Sequence, residues 1–119
     1  IHAVMGTGAA PEGVITAAGI RCLKGEIQGR FWPKNDDEVK RLRKMGGQIN
    51  KIYSQNELAS GKTIIFCATG VTGGEALKGV RFFGGGARTH SMLMSTQTEK
   101  IRFIDTTHVF NKKEIEYRL

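Results

Sequence analysis

A short, mostly apolar run, Ile1 to Val4, leads into Met5-Gly6-Thr7-Gly8-Ala9-Ala10-Pro11-Glu12-Gly13, after which apolar positions return at Val14, Ala17, Ala18, Ile20 and Leu23. That pattern predicts the end of a buried strand, a small-residue turn, and a helix from Pro11 to near Lys24. Pro11 suits a first helical position because its ring presets φ and its missing N–H would be unpaired there. Gly25 stands where a left-handed C-terminal cap belongs. Ile27 and Phe31 alternate with Gln28 and Arg30, which predicts a strand over 26–32 closed by Pro33. Asn35-Asp36-Asp37-Glu38 is a helix start, an Asn cap with Glu three residues on. Val39, Leu42 and Met45 give that helix its apolar stripe, and Gly46-Gly47 ends it. A short strand is expected over 49–53. Ser54-Gln55-Asn56-Glu57 then opens a one-turn helix that Gly61 terminates.

The second half reads as strands. Residues 63–69 form an almost unbroken apolar run of strand length, the pattern of a strand buried on both faces. Gly70-Val71-Thr72-Gly73-Gly74-Glu75 predicts a glycine turn leading into a short helix over 72–75 that stops by Gly79. Two strands follow, 80–83 and 87–95, joined tightly through Gly84-Gly85-Gly86. Gln97-Thr98-Glu99-Lys100 turns the chain again, and 101–109 alternates as a last strand. The tail after Phe110 is charged and expected to fray. These elements make a single α/β domain over 1–119: a mixed β-sheet flanked by helices, with a C-terminal strand meander. The chain opens on Ile1 in what reads as mid-strand and without an initiator Met, so a longer protein is expected.

Composition narrows the function classes. Hydrophobic content of 39% and charged content of 24% are ordinary for a soluble domain. No apolar run approaches the ~20 residues of a membrane span, and no signal-peptide pattern is present. Cys22 and Cys67 lie in apolar sequence with no C-x-x-C, so both read as buried free thiols of a cytoplasmic protein. A net charge of +7 raises nucleic acid as a partner. Lys40, Arg41, Arg43 and Lys44, however, share one amphipathic helix whose charged face is explained by solvation. No zinc-finger spacing, ribonucleoprotein motif or helix-turn-helix appears, and neither a nucleic-acid nor a membrane partner is expected.

The opening turn carries the chemistry. A strand, a small-residue turn and a helix N-terminus form an anion-binding scaffold. Glu12 beside it would repel phosphate unless a cation sits between them. Its alternative role is simpler, since an acid in the first turn complements the helix dipole. The Rossmann pattern fails at its third glycine, replaced by Pro11, and lacks the following acid among residues 26–32. Gly61-Lys62-Thr63 precedes a strand rather than a helix and is no phosphate loop. His90 and His108 fall at ordinary polar positions of the C-terminal strands.

Three stretches together resemble the C-terminal part of class II (GlpX-type) fructose-1,6-bisphosphatases. They are Gly6-Thr7-Gly8-Ala9-Ala10-Pro11-Glu12-Gly13-Val14 with Gly25-Glu26-Ile27-Gln28-Gly29-Arg30; Ile65-Phe66-Cys67-Ala68-Thr69-Gly70-Val71-Thr72; and Leu77-Lys78-Gly79-Val80 with Thr89-His90-Ser91. Their order and spacing fit the family over nearly the whole chain. The resemblance implies a layered α/β sugar phosphatase that hydrolyses the 1-phosphate of fructose 1,6-bisphosphate with Mn²⁺ or Mg²⁺. Some photosynthetic relatives also accept sedoheptulose 1,7-bisphosphate, which the resemblance leaves open as a second substrate here. It further implies a cytoplasmic homo-oligomer, dimer or tetramer, serving gluconeogenesis and glycerol metabolism.

Carried onto this chain, the family's Ala-Pro-Glu-Gly glutamate becomes Glu12, a metal ligand. The substrate-contacting turn falls on Gly8 and Ala9, where the family commonly has Gly at the position of Ala9. Alanine preserves a backbone N–H contact there if its φ is negative. The catalytic residues and the other metal carboxylates belong to the family's upstream portion. The implied mechanism is in-line attack of water on phosphorus, with the metals polarising the phosphoryl oxygens and lowering the water's pKa. Glu12 alone cannot hold such an ion, which takes about six ligands. The isolated chain is therefore expected to be inactive. Two other classes fit the bare sequence: a non-catalytic phosphate- or nucleotide-binding module, and an oligomerisation domain pairing through strands 87–109.

Overall fold

The local signals of the first half produce their elements in the computed structural model, which describes residues 3–110. They divide into two compact units, with the boundary between Ile64 and Ile65. In the first unit, helix α1 spans Ala10–Cys22 and α2 spans Asp36–Lys44. The single turn α3 spans Gln55–Leu58. A two-residue antiparallel ladder joins β1 (Gln28–Gly29) to β2 (Tyr53–Ser54), pairing Gln28 with Ser54 and Gly29 with Tyr53.

Helix α1 packs on α3 through small residues, with Ala17, Gly19 and Ala59 buried. The Arg21 guanidinium closes that contact by donating to the carbonyls of Ala59 and Gly61, the latter at 2.7 Å. The Ile27 N–H donates to Gln55 Oε1, and the Phe31 ring meets Tyr53 edge-on at 5.3 Å. Gln48 N–H donates to the Tyr53 hydroxyl.

Both long helices end in the same closure. After α1 the left-handed residue is Lys24 (φ 58), not Gly25, and the Gly25 N–H reaches the Ile20 carbonyl. After α2, Gly46 takes φ 80 and the Gly47 N–H reaches Leu42. At the start of α2, Asn35 Oδ1 accepts from the Glu38 N–H at 2.9 Å, as the sequence predicts. Glu38 reaches back one residue further than a capping box would, to the Lys34 N–H.

The second unit is a four-stranded antiparallel sheet built around β5 (Gly86–Ser95). Strand β6 (Ile101–Val109) pairs along one side of it, Gly86 opposite Val109 through Met94 opposite Ile101. On its other side β5 carries two short strands end to end. These are β3 (Ile65–Thr69), opposite 91–95, and β4 (Arg81–Phe83), opposite 86–88. Gly85 (φ 89) turns the chain between β4 and β5, and Glu99 (φ 54) turns it before β6. Ala87 and Met94 are the buried apolar residues here among those described. The register puts Phe66, Arg81, Arg88, His90, Met92, Met94, Phe103 and Asp105 on one face.

The α/β class and the C-terminal meander hold, with antiparallel ladders throughout the described residues. Other expectations need correction. Residues 3–9 form neither the expected strand end nor the small-residue turn, and residues 1–2 and the charged tail at 111–119 lie outside the described residues. The strands over 26–32 and 49–53 shrink to two-residue pieces, the second because Asn50 turns left-handed (φ 62) just before it. Residues 65–69 are not buried on both faces: among the described strands this one pairs with β5 alone, and Ile65, Cys67 and Thr69 are exposed. The buried-thiol reading thus fails for Cys67, while Cys22 is half-buried with its Sγ 3.9 Å from the Ile64 carbonyl.

The helix expected over 72–75 is absent. Gly73 has φ 86, and the Gly74 N–H to Leu77 and Val80 N–H to Val71 bonds fold the segment back on itself. A Cβ on Gly70 would lie 2.1 Å from the Lys78 carbonyl oxygen, so only glycine permits that approach.

Candidate metal- and phosphate-binding turn

Residues 3–9 run without regular structure and fully exposed into α1. Ala9 is the N-cap, with φ −72 and ψ 157, and no side chain caps the helix. Ala10 and Pro11 open the first turn, and the first intrahelical bond runs from the Gly13 N–H to the Ala9 carbonyl. The Ala10 and Glu12 amides therefore face outward at the positive end of the helix dipole. Among the described residues, and apart from the adjoining backbone, nothing lies within 4 Å of where a Cβ on Gly6, Gly8 or Gly13 would sit, which leaves the side of the segment open to a ligand.

The negative φ of Ala9 meets the condition set for an alanine at that position. Glu12 is exposed, and its carboxylate has no hydrogen-bond or ion-pair partner among the described residues. Only its backbone carbonyl is engaged, by the Thr16 hydroxyl at 2.7 Å. Gly8, Ala9 and Glu12 thus belong to one short segment, with Glu12 one residue beyond Pro11.

Among the described residues no three His, Cys, Asp or Glu side chains come together as a metal site. One carboxylate does not fit a hard dication that takes about six oxygen ligands. Arg21, at the far end of the same helix, is what ties α1 to the 59–61 turn. Its sequence signal was only a basic residue in the last turn, which the dipole explains equally well.

Residues 1–108 match the family described as bacterial fructose-1,6-bisphosphatase, glpX-encoded. The chain belongs to that family. A class 2 D-fructose 1,6-bisphosphatase/sedoheptulose 1,7-bisphosphatase 2 from Acaryochloris marina is 47% identical over 92% of the chain and 35% of the relative. Class 2 relatives with both activities in their names come from Microcystis aeruginosa and Thermosynechococcus vestitus. Each is 46% identical, over 99% and 95% of this chain and 38% and 37% of the relative respectively. This member of the glpX family therefore spans a little over a third of the length of these relatives. Among its described residues no helix is long and apolar enough to cross a membrane.

Proposed function

We propose that this chain supplies part of the active site of a metal-dependent sugar bisphosphatase, a phosphoric monoester hydrolase acting on fructose 1,6-bisphosphate. The names of its relatives support sedoheptulose 1,7-bisphosphate as a second substrate. In this reading Glu12 gives one carboxylate to a Mn²⁺ or Mg²⁺ site whose other donors lie outside the described residues. Gly8 and Ala9 bring backbone amides to the substrate. The observation that carries the reading is the unpartnered Glu12 carboxylate at an uncapped helix start, within a segment matched to the family. A carboxylate serving only the dipole would act equally from any position of the first turn. Exposed apolar side chains such as Trp32 (72%) and Phe82 (77%) support a role as one part of a larger enzyme.

The test is Glu12→Gln in the complete enzyme, a change that keeps the side chain's shape and removes its charge. The Mn²⁺ concentration for half-maximal phosphate release should rise at least about tenfold, in line with the cost of weakening a metal's ligand set. An unchanged Mn²⁺ dependence would return Glu12 to the helix dipole.

A further inference from the structure

The 70–80 loop is fastened at both ends by one residue of β5. The Gly70 N–H donates to the His90 carbonyl at 3.0 Å, and the Lys78 N–H donates to His90 Nδ1, also at 3.0 Å. Between these points the chain doubles back through the Gly74–Leu77 and Val80–Val71 bonds and the close approaches of Gly70 to Lys78 and Gly73 to Gly79. Residues 71–76 stand exposed at its tip. The His90 ring is held in place by stacking on Phe103, with centroids 5.6 Å apart and planes 18° apart.

A backbone N–H can donate to Nδ1 only while that nitrogen keeps its lone pair, so the closed loop requires neutral His90 with its proton on Nε2. Protonation turns Nδ1 into a donor facing another donor. Flipping the ring restores nothing, since both nitrogens of imidazolium carry hydrogens. Histidine is the side chain whose charge change falls between about pH 5 and 8. We propose that His90 is a proton-operated latch: neutral, it clasps the 70–80 loop, and protonated it releases the Lys78 end.

The surroundings bear on the latch from each element. Asp105 of β6 sits opposite His90 in register and carries the acidic group of that face. Arg81 of β4 lies 3.6 Å from the Asp105 carboxylate, and Arg88 is next on the same face of β5. Strand β3 contributes only Phe66 and Ala68 to that face, and β6 adds Thr107. Lys78 engages His90 through its backbone.

Hydrogen exchange by mass spectrometry on the complete protein tests this. Protection of a peptide covering 71–80, corrected for intrinsic exchange, should fall at least fivefold from pH 7.5 to 5.5, while 101–109 stays constant. His90→Asn replaces Nδ1 with an amide oxygen that accepts but does not titrate, and should make protection pH-independent. Equal wild-type protection at both pH values, or a parallel fall in His90→Asn with 101–109 still protected, would overturn the latch.

Discussion

Glu57 holds three contacts at once: Lys51 Nζ at 2.8 Å on one carboxylate oxygen, and the Ser54 N–H at 2.9 Å and hydroxyl at 3.2 Å on the other. The Lys51 bond first, and the Ser54 backbone bond second, pull its carboxyl from an ordinary 4.5 down to about 2. A depressed carboxylate stabilises the fold fully above pH 4.5, and that contribution fades as pH falls from 4.5 towards 2. Lys51 is raised above its usual 10.5 by the same bond, so its share is present below 10.5 and is lost at higher pH. Glu57 is exposed and Lys51 partly so, which keeps the effect small and sensitive to salt. A carbon-13 titration of Glu57 should therefore show a midpoint near 2, moving towards 4.5 in Lys51→Met. A wild-type midpoint already at 4.5 would mean that the ion pair does not persist in solution.

Among the elements, α2 depends most on its ends. None of its residues is buried, so its stability rests on caps and charge placement rather than packing. Asp36, Asp37 and Glu38 occupy its first turn and Arg41, Arg43 and Lys44 its last, both favourable to the dipole. Asn35→Ala leaves the Glu38 N–H without its acceptor and should cost α2 about 1 kcal/mol. Amide exchange within α2 should quicken about fivefold, leaving α1 unchanged; equal exchange would show that the Lys34–Glu38 bond caps the helix alone. Caps of this kind were legible in sequence because donor and acceptor lie three or four residues apart. The supposed helix at 72–75 carried a similar local signal and did not form. Its closing contacts, Gly70 with Lys78 and Gly73 with Gly79, span six to eight positions and are not written in any short window.

For the molecule as a whole, Glu12 belongs to no cluster of three or more metal-ligating side chains among the described residues, and the matched relatives are nearly three times as long. The 119-residue chain on its own should release no phosphate from fructose 1,6-bisphosphate with Mn²⁺ above the rate of a Glu12→Gln control. Turnover dependent on Glu12 would show that the remaining ligands are present within the chain.

The sequence by itself determined the start of α1 at Pro11, the helix starts at Asn35 and Ser54, and the three C-terminal strands. These depend on backbone preferences and contacts between near neighbours. It also carried the family, through motifs in fixed order. Only the tertiary structure decided that β3 pairs antiparallel with β5 and leaves Ile65, Cys67 and Thr69 exposed, because a short apolar run suits either pairing direction and does not report what covers it. Only tertiary structure, likewise, turned His90 from an ordinary strand position into the residue that holds a loop. The bond from Lys78 joins side chain and backbone twelve positions apart, and pairing of distant segments creates it. Ala9 belongs to both: its place in the motif was legible, and its negative φ was settled by the helix that begins beside it.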